Sequence, residues 1–511
     1  MKPICIVSAR SPASGGWFFA AAAWFATIAL LCSAAQAAPR ADGQLTIEVV
    51  DADTGQPVAA RMHLKNSRGR PVNIRLPRAA EFGGHFYIDG RITLPLRVGQ
   101  YTFELDAGPE YRHQTGHFEI ERHADDSKRI DMKRFADLAD EGWHGGDLDA
   151  ARRPADLPLI QRAEGLSLVP LQATANSNRS TSAPWAFSRL VNRPGGDLLL
   201  FYPKAARDID KAASQSSLSV IREARDRGAR IIARTPYAWD LPVWLASGKL
   251  DAISLIHHHA LRDASLDNED DGRPRDRSLF TGRTGNGRWS EHVYYHVLNC
   301  GLRIPPAAGS GSGANDSPVG TNRVYVHCGE EFSPDRWWDG LEAGRVFVTN
   351  GPLLRPLVQG HAPGHVFRMD EGGSLSLEIG LNLATRAPVD YLQIVKNGEV
   401  ATEVRLADWA KRKGRLPPLE FDDSGWFLIR AVTSNERVYQ LASSGPYYVE
   451  KAGQPRVSRR SVDFLVDWID AAAGRLRELA GLDNDTREAL LAEQQAAREF
   501  FDGLLSKVNA E

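Results

Sequence analysis

Alternation of apolar and polar residues dominates the chain from Gln44 to Arg134. The runs Leu45–Val50, Arg91–Leu96 and Tyr101–Leu105 follow a period of two, and Asp-Thr-Gly, Asp-Gly and Val-Gly-Gln turns separate such runs. This period points one face of each strand to a core and the other to solvent. The pattern predicts a small antiparallel β-sandwich over residues 42–134.

After Phe135 the pattern changes to strands that alternate with helices. Alternating units of this kind imply a parallel sheet or a barrel, and function in such folds collects at the carboxyl ends of the strands. We therefore predict an α/β domain over residues 135–355. Its predicted elements are a strand at Gly196–Phe201, a helix near Ser217–Gly228, a strand at Arg230–Ala233, a short helix at Leu241–Ser247 and a strand at Asp251–Ile256.

The last third of the chain returns to alternation and then becomes helical. Alternating runs at Ser374–Ile379, Tyr391–Val395 and Trp426–Arg430 predict a second β-sandwich over residues 356–450. Residues 456–511 carry two apolar helical stripes with a break at Gly481–Asp485, which predicts a helical hairpin. Its apolar face is expected to pack on its own chain, with a second subunit as the alternative. The predicted fold is multidomain, α/β plus β.

The first 37 residues have the pattern of a targeting segment. Lys2 and Arg10 precede the apolar run Trp17–Cys32, and a small-x-small cleavage signal ends at Ala37. The alternative is an uncleaved anchor, but the run is shorter than the roughly 20 apolar residues of a membrane span. We predict a signal peptide over residues 1–37, secretion or a periplasmic location, and no transmembrane segment after cleavage.

The charge of the chain argues against a nucleic-acid partner, and its cysteines allow one disulfide bond. The chain has 62 basic and 64 acidic residues, a formal net charge of −2, and no basic block that would indicate nucleic-acid binding. Cys5 and Cys32 lie in the predicted signal peptide, so Cys300 and Cys328 are the cysteines of the mature chain. In an oxidising compartment they can form a disulfide, or they can be two buried free thiols.

Three histidines and a pair of aspartates follow predicted strands. His257 and His259 share a face if the strand continues, so they can offer imidazoles to a metal or cap the strand end through hydrogen bonds. Asp147 and Asp149 likewise share a face if extended, and paired carboxylates can bind a hard cation or exchange a proton.

Two further features can contribute to a site. His292 and His296 are spaced i, i+4 on a predicted helix, which lets two imidazoles reach one metal, although the neighbouring apolar residues favour a packed helix. The polar stretch Asp263–Arg288 is too long for a plain connector and predicts a lid, a binding loop or a solvated loop. Its arginines can contact an anionic substrate. They are Arg273, Arg275, Arg277, Arg283 and Arg288.

Several long stretches resemble one enzyme group. Trp289–Pro306, Pro318–Val326 and Gly344–Pro352 are similar to CehA/McbA-type metallohydrolases of the PHP superfamily, named for polymerase and histidinol phosphatase domains. Residues 42–134 resemble the transthyretin-like, carboxypeptidase regulatory-like domains of secreted bacterial proteins. The resemblance implies a distorted PHP-like β/α barrel over residues 135–355 between two β-sandwiches. It also implies a metal site that opens with Gly-Asp-Leu-His-x-His, where metal-bound water attacks a phosphoester or another hydrolysable bond.

This chain departs from the family motif at the ligands themselves. Asp147 and Leu148 match the motif, but Asp149 and Ala151 stand at its two histidine positions. The later elements fall at Thr174-Ala175-Asn176 and Ser310-Gly311-Ser312, which lack strong ligands. By the resemblance, Asp156 and Glu164 occupy acidic positions of the pattern and His259 a histidine position.

The remaining candidate metal ligands are Asp149, Asp156, Glu164, His257 and His259. Such an oxygen-rich set would hold one divalent ion and favour Mn²⁺, Mg²⁺ or Ca²⁺ over Zn²⁺. Two functions stay open: a metal-dependent hydrolase with a reduced site, and a non-catalytic scaffold that binds a small-molecule or anionic ligand. The hydrolase requires Asp149, Asp156, Glu164 and His259 to converge, whereas the binding scaffold allows them to be scattered. Because several ligand positions are lost together, the sequence favours the scaffold.

Overall fold

The computed structural model describes residues 41–74, 80–172, 187–203, 216–270, 272–435 and 437–511. The predicted signal peptide and the Thr174-Ala175-Asn176 element lie outside the described residues. The protein is a multidomain, mostly β structure with several sheets and a few helices, and Asp42–Glu511 pack as one compact unit. Among the helices of the described residues, none combines the length and apolar composition of a membrane span.

The N-terminal region forms one hydrogen-bonded sheet of eight strands. The order is β7-β6-β2-β4-β5-β1-β8, and β3 pairs with β4. β1 and β8 run parallel, and the other neighbours are antiparallel. Alternate side chains such as Ile47, Val49, Met62 and Leu64 build its core. The strands are β1 (Gly43–Asp51), β2 (Ala59–Asn66), β3 (Glu81–Phe82), β4 (His85–Asp89), β5 (Arg91–Leu96), β6 (Gly99–Asp106), β7 (Gln114–Ile120) and β8 (Asp125–Met132).

The described residues of the middle region form nine strands and five helices. The strands are β9 (Trp143–Gly146), β10 (Leu171–Gln172), β11 (Phe187–Arg193), β12 (Gly196–Tyr202), β13 (Arg230–Ala233), β14 (Ala252–Ile256), β15 (Pro306–Ala308), β16 (Arg323–His327) and β17 (Val346–Thr349). The helices are α1 (Leu157–Glu164), α2 (Ser217–Asp226), α3 (Leu241–Ala246), α4 (Gly285–Asn299) and α5 (Pro334–Glu342). Within this region β13, β14 and β15 run parallel to one another, as alternating β and α units predict.

The strands expected to form a barrel are divided between two sheets. β10 to β15 form a six-stranded sheet in sequence order, whereas β9, β16 and β17 belong to a nine-stranded sheet that continues into the C-terminal region. The second edge of β17 pairs with a C-terminal strand, Leu441–Ser444, so its hydrogen bonds are not available to close a ring. The two sheets still approach each other where β9 ends. The backbone N–H of Leu148 donates to the carbonyl of Ala308 at 3.3 Å.

The C-terminal region adds nine strands and one short helix. β18, β20 and β23 form a three-stranded sheet, and this sheet shares a core with the nine-stranded sheet through side chains such as Leu377, Ile394 and Phe427. The elements are β18 (Leu353–Val358), β19 (Val366–Met369), β20 (Leu375–Ala384), β21 (Val389–Lys396), β22 (Glu399–Arg405), α6 (Leu406–Lys411), β23 (Arg415–Phe421), β24 (Gly425–Thr433), β25 (Leu441–Ser444) and β26 (Tyr447–Lys451).

Two long helices end the chain as a hairpin. They are α7 (Arg459–Glu478) and α8 (Asn484–Leu504), and Asp483 caps α8 by accepting a hydrogen bond from the backbone N–H of Thr486 at 2.8 Å. Trp468 and Phe501 lie in the largest core of the described residues. Gln494 donates to the Asp240 carboxylate beside α3 at 3.1 Å. The hairpin thus packs on its own chain through its apolar face.

The two cysteines of the described residues are free thiols. Cys300 is buried directly after α4, and Cys328 is half-buried after β16. Burial raises the pKa of both thiols, that of Cys328 to about 11. Of the two sequence-based alternatives, the pair of free thiols is the one present in the structure.

Candidate functional site

Asp147 organises the loops at the carboxyl end of β9. Its carboxylate accepts hydrogen bonds from three backbone N–H groups, those of Asp149 at 3.1 Å, Ser310 at 3.0 Å and Gly320 at 2.7 Å. The side chain is fully buried, and burial raises its pKa to about 6 despite these bonds. Asp147 therefore fixes the backbone of three segments around the site, and its carboxylate oxygens are engaged in these hydrogen bonds.

Asp149, which stands at a motif histidine position, lies in a buried ion pair with an arginine. The Nε of Arg234, directly after β13, donates to Asp149 Oδ2 at 2.7 Å. The Nη1 of Arg234 lies 3.1 Å from Asp197 Oδ2. Its Nη2 is buried and has no hydrogen-bond partner in the described part of the chain. A fixed guanidinium charge thus stands beside the first of the expected ligand positions.

Asp156 and Glu164 are also paired with arginines, at two other places. Asp156 precedes α1 and accepts from the Nε of Arg153 at 2.7 Å, at the protein surface. Glu164 ends α1 and is buried. Its Oε1 lies 3.1 Å from Arg61 Nη1 and accepts a hydrogen bond from the Tyr87 hydroxyl at 3.2 Å. The sequence predicted these carboxylates as ligands of one ion, but the structure places them in separate ion pairs.

The histidine run does not continue the strand, contrary to the assumption behind its predicted geometry. β14 ends at Ile256, and the chain turns so that the N–H of Ala260 donates to the carbonyl of His257 at 2.9 Å. His257 points to α4, where its Nε2 is 3.0 Å from the Ser290 hydroxyl. Burial holds the pKa of His257 well below its ordinary value. His257 therefore serves as a packed, hydrogen-bonded residue beneath the site.

His258 and His259 converge on one carboxylate. Their Nε2 atoms lie 2.9 Å and 2.7 Å from the same Oδ2 atom of Asp270. Among the described residues these three form the one group of three or more possible ligands whose donor atoms lie within 4.8 Å of one another. The Tyr237 hydroxyl lies 2.8 Å from His259 Nδ1 and orients that ring. Of the five predicted ligands, His259 alone belongs to this group.

The hydrogen bonds explain the charge state of this group. Bonds from His258 and then His259 lower the pKa of the Asp270 carboxyl far below its ordinary value. Burial lowers the pKa of His258, although Asp270 opposes this shift. At neutral pH the group is therefore an ionised carboxylate beside an uncharged His258 imidazole. Donor atoms of this kind can hold one divalent ion.

The arginines of the polar loop are largely engaged within the protein. Arg275 is buried and forms ion pairs with Asp267 and Glu269. The guanidinium of Arg273 lies 4.6 Å from the ring centre of Trp468 on α7. Arg288 donates to the carbonyl of Thr281 at 2.8 Å. These contacts fold the loop against its own residues and the helical hairpin.

A cleft lies beside Glu164, and four arginines line it. The cavity has a volume of about 440 Å³. Leu261, Arg262 and Asp263, which come shortly after the histidine run in the sequence, form part of its wall. Its arginines are Arg61, Arg262, Arg323 and Arg386. The Nε of Arg61 is buried without a partner in the described residues. The cleft thus combines volume, arginines that pair with acidic residues of its wall, and one buried donor without a partner in the described residues.

Sequence reasoning missed Arg234, Asp197 and Asp270. Arg234 is the first residue after β13, so its position at a strand end was the available signal. Asp270 lies in the polar loop, where one acidic residue cannot be distinguished from its neighbours by sequence alone. The partners of these residues are distant along the chain or lie in a turn, so periodicity does not identify them.

Comparisons with other proteins add no functional constraint. No protein-family model and no curated protein matches the chain. A β-glucuronidase from Parabacteroides merdae is 10% identical with a TM-score of 0.18, and the alignment covers 78% of this chain and 61% of that enzyme. The four N-terminal immunoglobulin domains of Dscam1 isoform 8.4 are 9% identical with a TM-score of 0.13, covering 81% of this chain and 100% of theirs. TM-scores this low support neither a shared fold nor a shared function with these two proteins.

Proposed function

We propose that this protein is an exported, non-catalytic binding protein on a distorted PHP-like barrel scaffold, in which arginines have replaced the metal ion as partners of the site carboxylates. One observation carries the proposal: every predicted carboxylate ligand lies in an ion pair with an arginine. The pairs are Asp149 with Arg234, Asp156 with Arg153, and Glu164 with Arg61. Export rests on the signal-like segment before residue 38.

The buried pair makes metal binding at Asp149 unfavourable. A hydrolytic metal site needs at least three protein ligands and an open position. A cation at Asp149 would compete with the Arg234 guanidinium for the same carboxylate, and breaking this buried ion pair would cost about 3–5 kcal/mol. The family's metal set therefore does not fit the residues of this chain, and a reaction through that set is not part of the proposal.

The ligand we propose is a small anionic molecule bound in the arginine-lined cleft. Guanidinium groups recognise carboxylates and phosphates with paired hydrogen bonds. Arg386 and Arg61 share the Asp106 carboxylate, at 2.9 Å and 2.8 Å, which holds both guanidinium groups at the wall of the cleft. The volume of about 440 Å³ suits a small organic anion.

The experiment combines metal analysis, hydrolase assays and anion binding on the full chain without a histidine tag. A His292→Ala/His296→Ala background removes the imidazole pair of α4, so that metal bound there is not counted. We expect no retained Mn²⁺ or Zn²⁺ in this background and no hydrolysis of phosphoesters. We also expect citrate or inorganic phosphate to raise the melting temperature, and Arg386→Ala to reduce that effect. Stoichiometric metal with hydrolysis that His259→Ala abolishes, the fold being intact, would overturn the proposal.

A second candidate is a hydrolase with a single metal ion, and the His258, His259 and Asp270 group favours it. The donor atoms of these residues are close enough to hold one ion, and Tyr237 fixes the His259 ring as outer hydrogen-bond partners do at metal sites. A bound Zn²⁺ or Mn²⁺ would supply an activated water for hydrolysis. In this case metal retained in the His292→Ala/His296→Ala background would be lost on adding Asp270→Asn.

A further inference from the structure

Two histidines of α4 face each other at the wall of a cavity. The Nε2 atoms of His292 and His296 are 3.2 Å apart. Both residues line a cavity of about 580 Å³, together with Asn299, Arg456 and Arg460. This pair lies on the helix and not at the strand ends, so it is separate from the site considered above. The neighbouring apolar residues favoured a packed helix, but the two histidine side chains converge beside open space.

The distance between the two nitrogens matches a metal coordination edge. A Zn–N bond measures about 2.0–2.1 Å, and at a tetrahedral angle two such bonds separate their nitrogens by roughly 3.3–3.4 Å. The observed 3.2 Å lies within a few tenths of this value. An ion could therefore bind both imidazoles with little movement of either ring.

The surrounding residues keep both imidazole rings uncharged and fix the orientation of His296. Burial lowers the pKa of His292 and lowers that of His296 to about 3, so both imidazoles are uncharged at neutral pH. His296 Nδ1 lies 2.9 Å from the Ser461 hydroxyl, which can accept a hydrogen bond from it, so that the Nε2 lone pair of His296 faces His292 Nε2 and takes up its hydrogen bond. The ring of His296 also stacks on Phe464 with ring centres 3.9 Å apart. These contacts fix its orientation.

We propose that His292 and His296 bind one first-row transition-metal ion of the Zn²⁺, Ni²⁺ or Cu²⁺ type. Imidazole nitrogens suit these ions, whereas Mg²⁺ and Ca²⁺ prefer oxygen ligands. Arg460 acts electrostatically on both rings and lowers the pKa of each, which helps to keep both imidazoles uncharged. No third possible protein ligand joins this pair within the described residues, so the remaining positions face the cavity and take water or a small anion.

The test is titration of the full, tag-free chain with Zn²⁺ and with Cu²⁺. We expect one tight equivalent in the wild type and an affinity at least tenfold weaker in His292→Ala and in His296→Gln. Electron paramagnetic resonance of the Cu²⁺ form should show coordinated nitrogens whose number falls in His292→Ala. His292 is only half-buried, so this variant is expected to fold, and circular dichroism checks that it does.

Two matched variants make the result specific. His361→Ala/His365→Ala removes another histidine pair, whose rings are stacked with centres 3.7 Å apart, and it should leave the equivalent intact. His258→Ala/His259→Ala removes the strand-end histidines and should also leave it intact. Absence of the equivalent in the wild type, or its loss only in the strand-end variant, would overturn the proposal. The second of these results would instead favour the single-metal hydrolase.

Discussion

At the scale of single residues, Asp149 and Arg234 decide the character of the strand ends. The two side chains are both buried and joined at 2.7 Å, although 85 positions separate them along the chain. Asp149 stands where the motif that this chain resembles has a histidine, and an aspartate offers no nitrogen ligand. Its pairing with Arg234 supplies a positive charge that stabilises the buried carboxylate.

The first prediction concerns this pair. Arg234→Met should lower the free energy of unfolding by about 3–5 kcal/mol, because Asp149 then stays buried without its partner. Arg153→Ala, which breaks the surface pair with Asp156, is the matched control and should cost about 0–1 kcal/mol. Urea denaturation measures both. Arg234→Met/Asp149→Leu should recover much of the loss. A cost for Arg234→Met no larger than that of the control would contradict our account of the site.

The second prediction concerns His85 in β4. His85 is 1% exposed, and neither ring nitrogen has a partner in the described residues. Burial lowers its pKa from 6.5 to about 2. Below pH 6.5 the folded state therefore binds fewer protons than the unfolded state. The free energy of unfolding consequently decreases as the pH falls from 6.5 toward 2.

His85→Phe should make this acid dependence shallower. One such histidine contributes a slope of about 1.4 kcal/mol per pH unit once the unfolded state is protonated. Denaturation at about pH 7.5, 5.5 and 4.5 should show the wild type losing stability faster than the variant. His117→Gln, on an exposed position of β7, is the control and should follow the wild type. Parallel curves for His85→Phe and the wild type would show that His85 is protonated in the folded state.

At the scale of elements, the end of β14 determines which histidines meet. Extending the strand through the run would have paired His257 with His259 on one face. Because the chain turns after Ile256, His258 and His259 meet at Asp270 and His257 faces Ser290. The pattern that identified the strand, with its last residue Ile256, contains no information about the path of the chain beyond that residue. The strand and its end were therefore predictable here, and the turn that follows was not.

The helical hairpin provides the third prediction. Trp468 of α7 is fully buried, stacks on Trp289 of α4 with ring centres 6.2 Å apart, and lies beneath the Arg273 guanidinium. Trp468→Ala should destabilise the protein by about 3–5 kcal/mol through the lost contacts and the cavity. Glu478→Ala, at an exposed position of the same helix, should change stability by less than about 0.5 kcal/mol. Thermal and urea denaturation compare them, and equal effects would mean that the hairpin is not docked through Trp468.

At the scale of the whole molecule, one sheet joins the middle and C-terminal regions. β9, β16 and β17 continue through β25 into β24 and β26, so the strand that carries Asp147 at its end is braced by the C-terminal region. Polar contacts join the N-terminal sheet to this body. Arg262 bonds to His63 and pairs with Glu104, and Arg386 Nη1 lies 2.9 Å from Asp106. The arginines of the proposed ligand cleft therefore also hold two parts of the molecule together.

The fourth prediction tests this coupling by unfolding. The N-terminal sheet over residues 43–132 contains no tryptophan, so tryptophan fluorescence reports on the remainder while circular dichroism reports on all regions. In the wild type the two signals should change together, because Asp42–Glu511 pack as one unit. In Arg262→Ala/Arg386→Ala they should separate. Arg91→Ala, which breaks an exposed pair within the sheet, should leave them coincident. Coincident signals in the double variant would contradict the coupling.

The sequence by itself determined the local features of this protein. Alternation identified strands of both β-rich regions, helical periodicity identified the terminal hairpin, and Asp149 and Ala151 stand at the two histidine positions of the motif that the chain resembles. These features depend on neighbours a few positions apart, which periodicity records. Tertiary structure alone decided the division between two sheets of the strands predicted to form a barrel, the Asp149–Arg234 pair and the meeting of His258 and His259 at Asp270. Those outcomes depend on strand-edge pairing, distant charges and the position of a turn, which no local pattern specifies.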